Sequence, residues 1–293
     1  MKDHQPKHKP VLLKEVIDLL APEQGESLLD VTAGYGGHSL AILDKTHVPK
    51  TSYFVDRDDN ATEELKQLVK LKGATIINSD FASATKSLHE KGMKFDLILA
   101  DLGVSSPHLD NASRGFSFQK DGPLDMRMDA SKGITAADIV NTSSEEALTK
   151  IIKVYGEEKH AKKIAQAIMQ NTPVSTTTEL ANIIAKCFPF RGKIHPATKT
   201  FQALRIAVND ELTQLRYTLP LWIQMLKSSG RIAIISFHSL EDKIVKDIFL
   251  EHGGNRYDAD IKILTKKPIT PGDNELVFNP RARSAKLRVA VKK

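Results

Sequence analysis

The sequence predicts an α/β fold, a doubly wound and mainly parallel sheet interrupted by an all-helical insert. Three observations predict it. Short apolar runs alternate with amphipathic helical patterns from Ser27 to Asp101, the rhythm of strand and helix units in a parallel sheet. From about Leu102 to Arg205 no apolar strand run appears, while helical stripes continue; strand character resumes at Arg231. The first strand pattern ends in an acid and breaks into a glycine turn, Asp30-Val-Thr-Ala-Gly-Tyr-Gly-Gly-His-Ser39, at the sheet edge where such folds hold ligands. The expected division is residues 1–112 with 206–293 for the sheet domain and 113–205 for the insert.

Each element follows from its pattern. After a polar, basic arm, Leu12, Val16, Leu19 and Leu20 share one helical face, which Pro22 ends. Ser27 to Val31 is the first strand and Thr32 to Gly37 a loop, and a helix opening near His38-Ser39 buries Leu40, Ile42 and Leu43. Ser52 to Asp56 is the second strand. A helix over Asn60 to Leu71 carries Leu65, Leu68 and Val69, and Ala74 to Asn78 is the third strand. A helix over Ala82 to Lys91 leads into Phe95-Asp-Leu-Ile-Leu-Ala-Asp101, a continuous apolar run suited to a strand buried on both faces.

In the insert, Ser143-x-x-Glu146 and Thr176-x-x-Glu179 have capping-box spacing. Leu148, Ile151, Ile152 and Tyr155 follow the first, and Ala161, Ile164, Ala165, Ile168 and Met169 form a stripe between the two. One long helix is expected after Pro196, with Phe201, Leu204, Val208, Leu212, Leu215 and Leu219 on its apolar face and Pro220 after its end. Strands are expected at Arg231 to Phe237, Ile261 to Leu264 and Lys286 to Val291. The last alternates like a strand and is charged like a phosphate-binding tail, which an edge strand reconciles.

Composition narrows the function classes. Lys+Arg 42 against Asp+Glu 36 gives a net charge of +6, a moderate basic bias that admits a nucleic-acid partner without requiring one. A single cysteine, Cys187, excludes internal disulfides and a cysteine-rich zinc site, so a reducing cytoplasm is the expected location. Met1-Lys-Asp-His-Gln-Pro-Lys lacks the apolar core of a signal peptide, and no long apolar run suggests a membrane span. His238 and Glu241 with scattered acids make a poor zinc set, and no metal is expected.

The glycine loop usually holds a nucleotide, and its details select among them. A dinucleotide fingerprint counted from Gly34 meets Ser39 at the third glycine position, and no Walker lysine follows. What remains is Asp30, the loop, and a second acid, Asp56, about twenty residues on, where a carboxylate accepts both ribose hydroxyls. This layout resembles S-adenosylmethionine binding in the Rossmann-like class I methyltransferases. Asn78-Ser-Asp-Phe81 ends the third strand, where Phe81 either packs on the adenine or fills the core. Asp101 opens a loop to His108 at the carboxyl end of the fourth strand; the acid can accept a hydrogen bond from a target amine, though Leu102-Gly103 replaces the prolines common there.

The stretch Asp110 to Asp129 interleaves Arg114, Lys120 and Arg127 with Phe116 and Phe118, which suits base stacking and phosphate contact, with a packed hinge between domains as the lesser alternative. Arg191 and Lys193 lie in a basic turn, either an RNA contact or a solvated loop, and Arg281 and Arg283 open the basic tail. His238 is either a hydrogen-bonded structural residue or a catalytic one.

Several long motifs then converge on one family. Asp30-x-Thr-x-Gly-x-Gly-Gly-His-Ser39, Asp101-Leu-Gly-Val-Ser-Ser-Pro, Arg114-Gly-Phe-Ser-Phe, Gly122-Pro-Leu-Asp-Met-Arg-Met128, Ser236-Phe-His-Ser-Leu-Glu-Asp242 and Asn279-Pro-Arg-Ala-Arg-Ser-Ala-Lys-Leu-Arg288 resemble the bacterial 16S ribosomal RNA (cytosine-N4) methyltransferase family across nearly the whole chain. The resemblance implies methyl transfer from S-adenosylmethionine to N4 of a cytidine in the decoding region of the small ribosomal subunit. It also implies cofactor contacts at Gly36, Gly37, His38, Asp56, Phe81, Asp101 and His108, the last being a position where several relatives carry glutamine. Asp101 is the candidate catalytic residue. Arg114, Phe116, Phe118, Arg127, Arg191, Lys193, Arg281 and Arg283 are the candidate RNA contacts.

Overall fold

The computed structural model describes residues 10–69, 73–104, 109–188, 195–254 and 257–293. The N-terminal arm, the Ser105 to His108 segment, and Arg191 and Lys193 lie outside them. The chain forms two compact units, Met1–Gly103 with Leu212–Lys293, and Val104–Glu211. These limits take in more chain than the 113–205 expected for the insert, because Leu109, Ala207 and Val208 pack against the core of the helical unit.

The first unit opens with α1 (Leu13–Leu20), β1 (Leu28–Asp30), α2 (Gly37–Thr46), β2 (Tyr53–Asp56), α3 (Asp59–Val69), β3 (Thr75–Asn78), α4 (Phe81–Glu90) and β4 (Phe95–Asp101). The second unit carries α5 (Ala136–Thr142), α6 (Glu145–Gly156), α7 (Ala161–Met169), α8 (Thr177–Lys186) and α9 (Thr198–Asn209). The chain then continues through α10 (Glu211–Met225), β5 (Leu226–Ser236), α11 (Ser239–His252), β6 (Ile261–Ile263), α12 (Asp273–Phe278) and β7 (Lys286–Lys292).

The sheet order is β3-β2-β1-β4-β5-β7-β6. Strands β1 to β5 pair in parallel, and β7 pairs antiparallel with both β5 and β6. The 3-2-1-4-5 run is the doubly wound order, and the antiparallel β7 between β5 and β6 separates this sheet from the dinucleotide-binding version. Leu97, Ile98, Leu99 and Ala100 of β4 are all buried, as a central strand covered on both faces requires. Register aligns Asp30 with Leu99 and with Phe54, so Asp101 and Asp56 each project two residues beyond Asp30 at the carboxyl edge.

Three expectations give way here. The helix after Pro196 is two helices, α9 and α10, broken at Asp210 in the left-handed region at φ 49°. Pro220 lies inside α10 rather than beyond it; Leu219, Trp222, Ile223 and Met225 around it are fully buried, and that burial offsets a proline cost of about 3 kcal/mol. The basic tail is not an edge strand: β7 is internal, Arg288 is buried with its Nε 2.6 Å from Asp242 Oδ1, and Lys292 pairs with Asp260.

The helical unit is built around Leu148, Ile152, Ile164, Ile168, Leu180, Ile184, Phe201 and Leu204. Thr176 and Glu179 form the expected reciprocal cap on α8, and Thr135 with Asp138 forms another on α5. The cap of α6 is Ser144, not Ser143. Its hydroxyl accepts from Ala147 N, while Ser143 closes the end of α5.

Candidate active site

The glycine loop is tied down by the two acids that flank it. Asp30 is buried; its Oδ2 accepts from Ser39 Oγ at 2.5 Å and its Oδ1 from Thr32 N at 3.0 Å. Burial raises its pKa to about 6 against the opposing effect of those hydrogen bonds, with the Asp56 charge adding to the rise. Asp56 Oδ2 accepts from Gly34 N at 2.7 Å and Oδ1 from Asp58 N at 2.9 Å, and burial again raises its pKa. The carboxylate expected to read a ribose therefore also holds the loop. Gly36 caps α2 at φ 82°, and a Cβ there would lie 2.8 Å from Leu65 Cδ1; at Gly37 it would lie 2.6 Å from Pro10 Cγ. The positive φ favours glycine at position 36, and at position 37 a side chain would have to displace Pro10.

Asp101 stands beside this loop. Its backbone N–H donates to Thr32 Oγ1 at 2.6 Å, which couples the end of β4 to the turn. Its Oδ1 is buried with no hydrogen-bond partner among the described residues, and its Oδ2 lies 3.6 Å from His38 Nδ1. His38 Nε2 is 2.8 Å from the Val11 carbonyl, which only accepts, so Nε2 carries the proton and Nδ1 faces the carboxyl group. Two lone pairs facing one another repel, and one proton shared between Asp101 and Nδ1 resolves the conflict. Burial first, then the charges of Asp30 and Glu241, hold the Asp101 pKa well above the ordinary carboxylate range.

Acids buried at one sheet edge with a carboxylate oxygen unpartnered suit a positively charged or N–H-donating ligand. S-adenosylmethionine fits on both counts, through its sulfonium charge and its amine and hydroxyl donors.

Phe81 opens α4 and contributes a wall more than a face. Its ring meets Trp222 edge-on at 5.7 Å, the Arg57 guanidinium lies 5.9 Å from its centroid, and it is nearly buried. Asp80 caps α4 through Ser83 N. At the start of α11, Glu241 Oε2 accepts from Phe237 N and His238 N, while His238 Nδ1 accepts from Glu241 N. His238 is therefore a helix cap, its Nε2 lying 3.1 Å from Glu241 Oε1 without hydrogen-bond geometry.

The structure thus brings Gly36, Gly37, His38, Asp56, Phe81 and Asp101 to one end of one sheet, while His108 lies outside the described residues. The loop expected to stack bases behaves as a packed loop within the helical unit. Arg114 Nη2 donates to the carbonyls of Arg127 and Met128, Arg127 pairs in fork geometry with Asp125, and Phe116, Met126 and Met128 are buried. Phe118 packs edge-on against Phe201 at 4.8 Å. Arg281 and Arg283 are exposed.

Thr32, Trp222 and the charge of Glu241 were not singled out from sequence for these roles. Thr32 sits inside the acid-loop motif and was legible there, but Trp222 lies beyond a proline that marks a helix end by rule.

The family model described as the MraW methylase family matches residues 5–293. A protein of Halothermothrix orenii named Ribosomal RNA small subunit methyltransferase H is 45% identical over 303 residues, covering 97% of this chain and 97% of its own. One of the same name from Synechocystis sp. is 47% identical over 295 residues, covering 97% of this chain and 93% of its own.

Proposed function

Because this chain belongs to the MraW methylase family, we propose that it transfers a methyl group from S-adenosylmethionine to the N4 exocyclic amine of a cytidine in the decoding region of 16S rRNA. The observation that carries this is the 45% identity to a small subunit rRNA methyltransferase over 97% of both chains. The site supports the same reading, since its buried acids suit a sulfonium and its unpartnered Asp101 Oδ1 suits an amine donor.

Gly36, Gly37, His38, Asp56, Phe81, Asp101 and His108 would hold the cofactor, with Asp56 accepting the ribose hydroxyls and Phe81 bounding the adenine. Bound there, S-adenosylmethionine supplies a methyl group made electrophilic by the sulfonium. The residues of the chain do the rest. The cytosine amine is a weak nucleophile because its lone pair is delocalised into the ring, so it must be held in line and its N–H bonds accepted while it pyramidalises. Asp101 accepts one of those N–H groups. With S-adenosylmethionine bound, the proton that Asp101 shares with His38 would be released to solvent, and the ionised carboxylate would then take the amine proton and share it in turn with His38 Nδ1.

A cytidine in folded RNA must first be splayed out of its stack. Arg114, Phe116, Phe118 and Arg127 serve this by shaping their loop, and Arg191, Lys193, Arg281 and Arg283 by meeting phosphate. The helical unit is the proposed RNA-recognition domain, and the cytoplasm, where ribosomal subunits are assembled, is the proposed location. Mass spectrometry of 16S rRNA from a strain lacking the gene should show one cytidine short of an N4 methyl group, restored by the purified protein with S-adenosylmethionine. An unchanged methylation pattern overturns the reading.

A further inference from the structure

The N-terminus of α1 has no cap of its own. Leu12 occupies the cap position, and its side chain has no atom that accepts a hydrogen bond from the backbone N–H groups of a first helical turn. Leu12 also adopts the left-handed conformation, at φ 53° and ψ 32°, which a leucine avoids unless its surroundings impose it. Two contacts do so. The side chain is buried in a core shared with Val11, Val16 and Leu20, and the backbone N–H donates to Glu275 Oε1 at 2.9 Å, across 263 residues of sequence. Glu275 stands in the first turn of α12, where its neighbour Leu276 packs on that same core and so brings the carboxyl group to the start of α1. Negative charge is favoured at a helix N-terminus, and Glu275 supplies it from far along the chain.

The N–H of Leu12 and the carbonyl of Val11 are opposite ends of one planar peptide group, so fixing the direction of one fixes the other. With the N–H turned to Glu275, the Val11 carbonyl meets His38 Nε2 at 2.8 Å. That carbonyl only accepts, so it keeps the His38 proton on Nε2 and leaves Nδ1 to Asp101, whose Oδ2 lies 3.6 Å away. Rotating the peptide by half a turn would return Leu12 to a negative φ, the less strained region, and would point an N–H at Nε2. The ring proton would then belong on Nδ1, which would donate to Asp101 where before it could accept. What opposes the rotation is the acceptor that Glu275 holds against the Leu12 N–H.

We propose that Glu275 is a positioning residue for methyl transfer: it holds the Val11–Leu12 peptide with its carbonyl toward His38, and so leaves His38 Nδ1 able to share the proton that Asp101 takes. This rests on the methyl-transfer reading above and adds to it a residue that acts through two others, from the opposite end of the sequence.

The test uses the full chain and small ribosomal subunits from a strain lacking the gene. Glu275→Ala should lower the single-turnover rate at saturating S-adenosylmethionine roughly 10- to 100-fold, with the subunit concentration for half-maximal rate unchanged. Glu275→Gln keeps an acceptor oxygen at the same reach and should stay within twofold of wild type. In a His38→Ala background, Glu275→Ala should cost nothing further, because its effect passes through the histidine. Nitrogen-15 NMR of the His38 ring, assigned by its loss in His38→Ala, should show Nε2 carrying the proton in wild type and in Glu275→Gln, and yielding it in part to Nδ1 in Glu275→Ala. Should the alanine variant not melt as a folded protein, Glu275→Met, which keeps the bulk and lacks a strong acceptor, carries the same expectations.

A Glu275→Ala rate within twofold of wild type overturns the assignment. So does an equal cost of Glu275→Ala with and without His38, which would make Glu275 a brace for the fold alone. If the wild-type protein transfers no methyl group to rRNA, the functional reading fails instead, and the His38 ring still decides the role of Glu275: an unchanged tautomer in Glu275→Ala removes it.

Discussion

Asp101 carries an unusual load for one side chain, since burial and two neighbouring acids oppose its charge while one of its oxygens has no partner. An incoming N–H donor or cation relieves that penalty, and this is why the group is suited to act on an amine. Asp101→Asn should lower the single-turnover methyl-transfer rate on the order of 10²-fold or more at saturating cofactor, with RNA affinity preserved. Rapid-quench kinetics checks it, and a wild-type rate would reduce Asp101 to a strand terminator.

A second expectation concerns pH. Asp30 has its pKa raised to about 6 and Asp101 is also raised, so both hold protons in the folded chain where the unfolded chain releases them. Their contribution to stability is greatest below the ordinary carboxylate range and is lost as pH rises through about 6 for Asp30. A cationic ligand reverses the balance by favouring the ionised acids. Calorimetry should therefore show S-adenosylmethionine affinity rising with pH across this window, and S-adenosylhomocysteine, with its neutral sulfur, rising less. Equal slopes for the two ligands would remove the electrostatic role of the acids.

At the scale of elements, β7 shows how a charge pattern misleads when read without its partners. Lys286 and Arg288 both reach Asp242 on α11, and Arg288 is shut away from solvent by the strands on either side. Arg288→Ala should destabilise the fold by about 3 kcal/mol or more, because Asp242 is left partly buried without its strongest partner. Thermal melting checks the loss, and the salt dependence of RNA binding by the folded fraction should not change.

Elements whose signal is local were legible. The strand at Phe95 to Asp101 and the cap at Thr176 follow from residues within a few positions of one another. Pro220 was misplaced because its helix is maintained by the burial of Trp222 and its neighbours, a tertiary term that no propensity contains. Ser143 and Ser144 are adjacent hydroxyls with equal sequence claims to a cap, and only the geometry of the end of α5 chose between them.

For the whole molecule, the moderate excess of basic residues matters through its distribution. Arg288, Lys292 and Arg127 are paired with acids, so they add little to phosphate binding, whereas Arg283 is exposed. Binding to small subunits should accordingly fall steeply with salt, the slope of log Kd against log salt concentration being roughly 0.7 to 0.9 per phosphate neutralised. Robust turnover on free cytidine, insensitive to salt, would count against a structured RNA substrate. Within the helical unit, Arg114 and Asn209 hold the Arg114 to Met128 loop by side-chain bonds to its carbonyls and to the Met128 amide.

The sequence by itself determined the class of fold, the glycine turn between the two acids, and the family. Those depend on short-range patterns, namely alternating strand and helix periods, an acid before a glycine turn, and motifs of uncommon residues at set spacing. Only the tertiary structure decided which charges are spent within the protein and which face outward. It placed β7 inside the sheet, turned Arg114 and Phe116 inward, made His238 a cap, and left Asp101 Oδ1 without a hydrogen-bond partner among the described residues. The physical reason is that pairing and burial are set by groups far apart in the chain, such as Arg288 and Asp242, separated by 46 residues, and no local pattern records them.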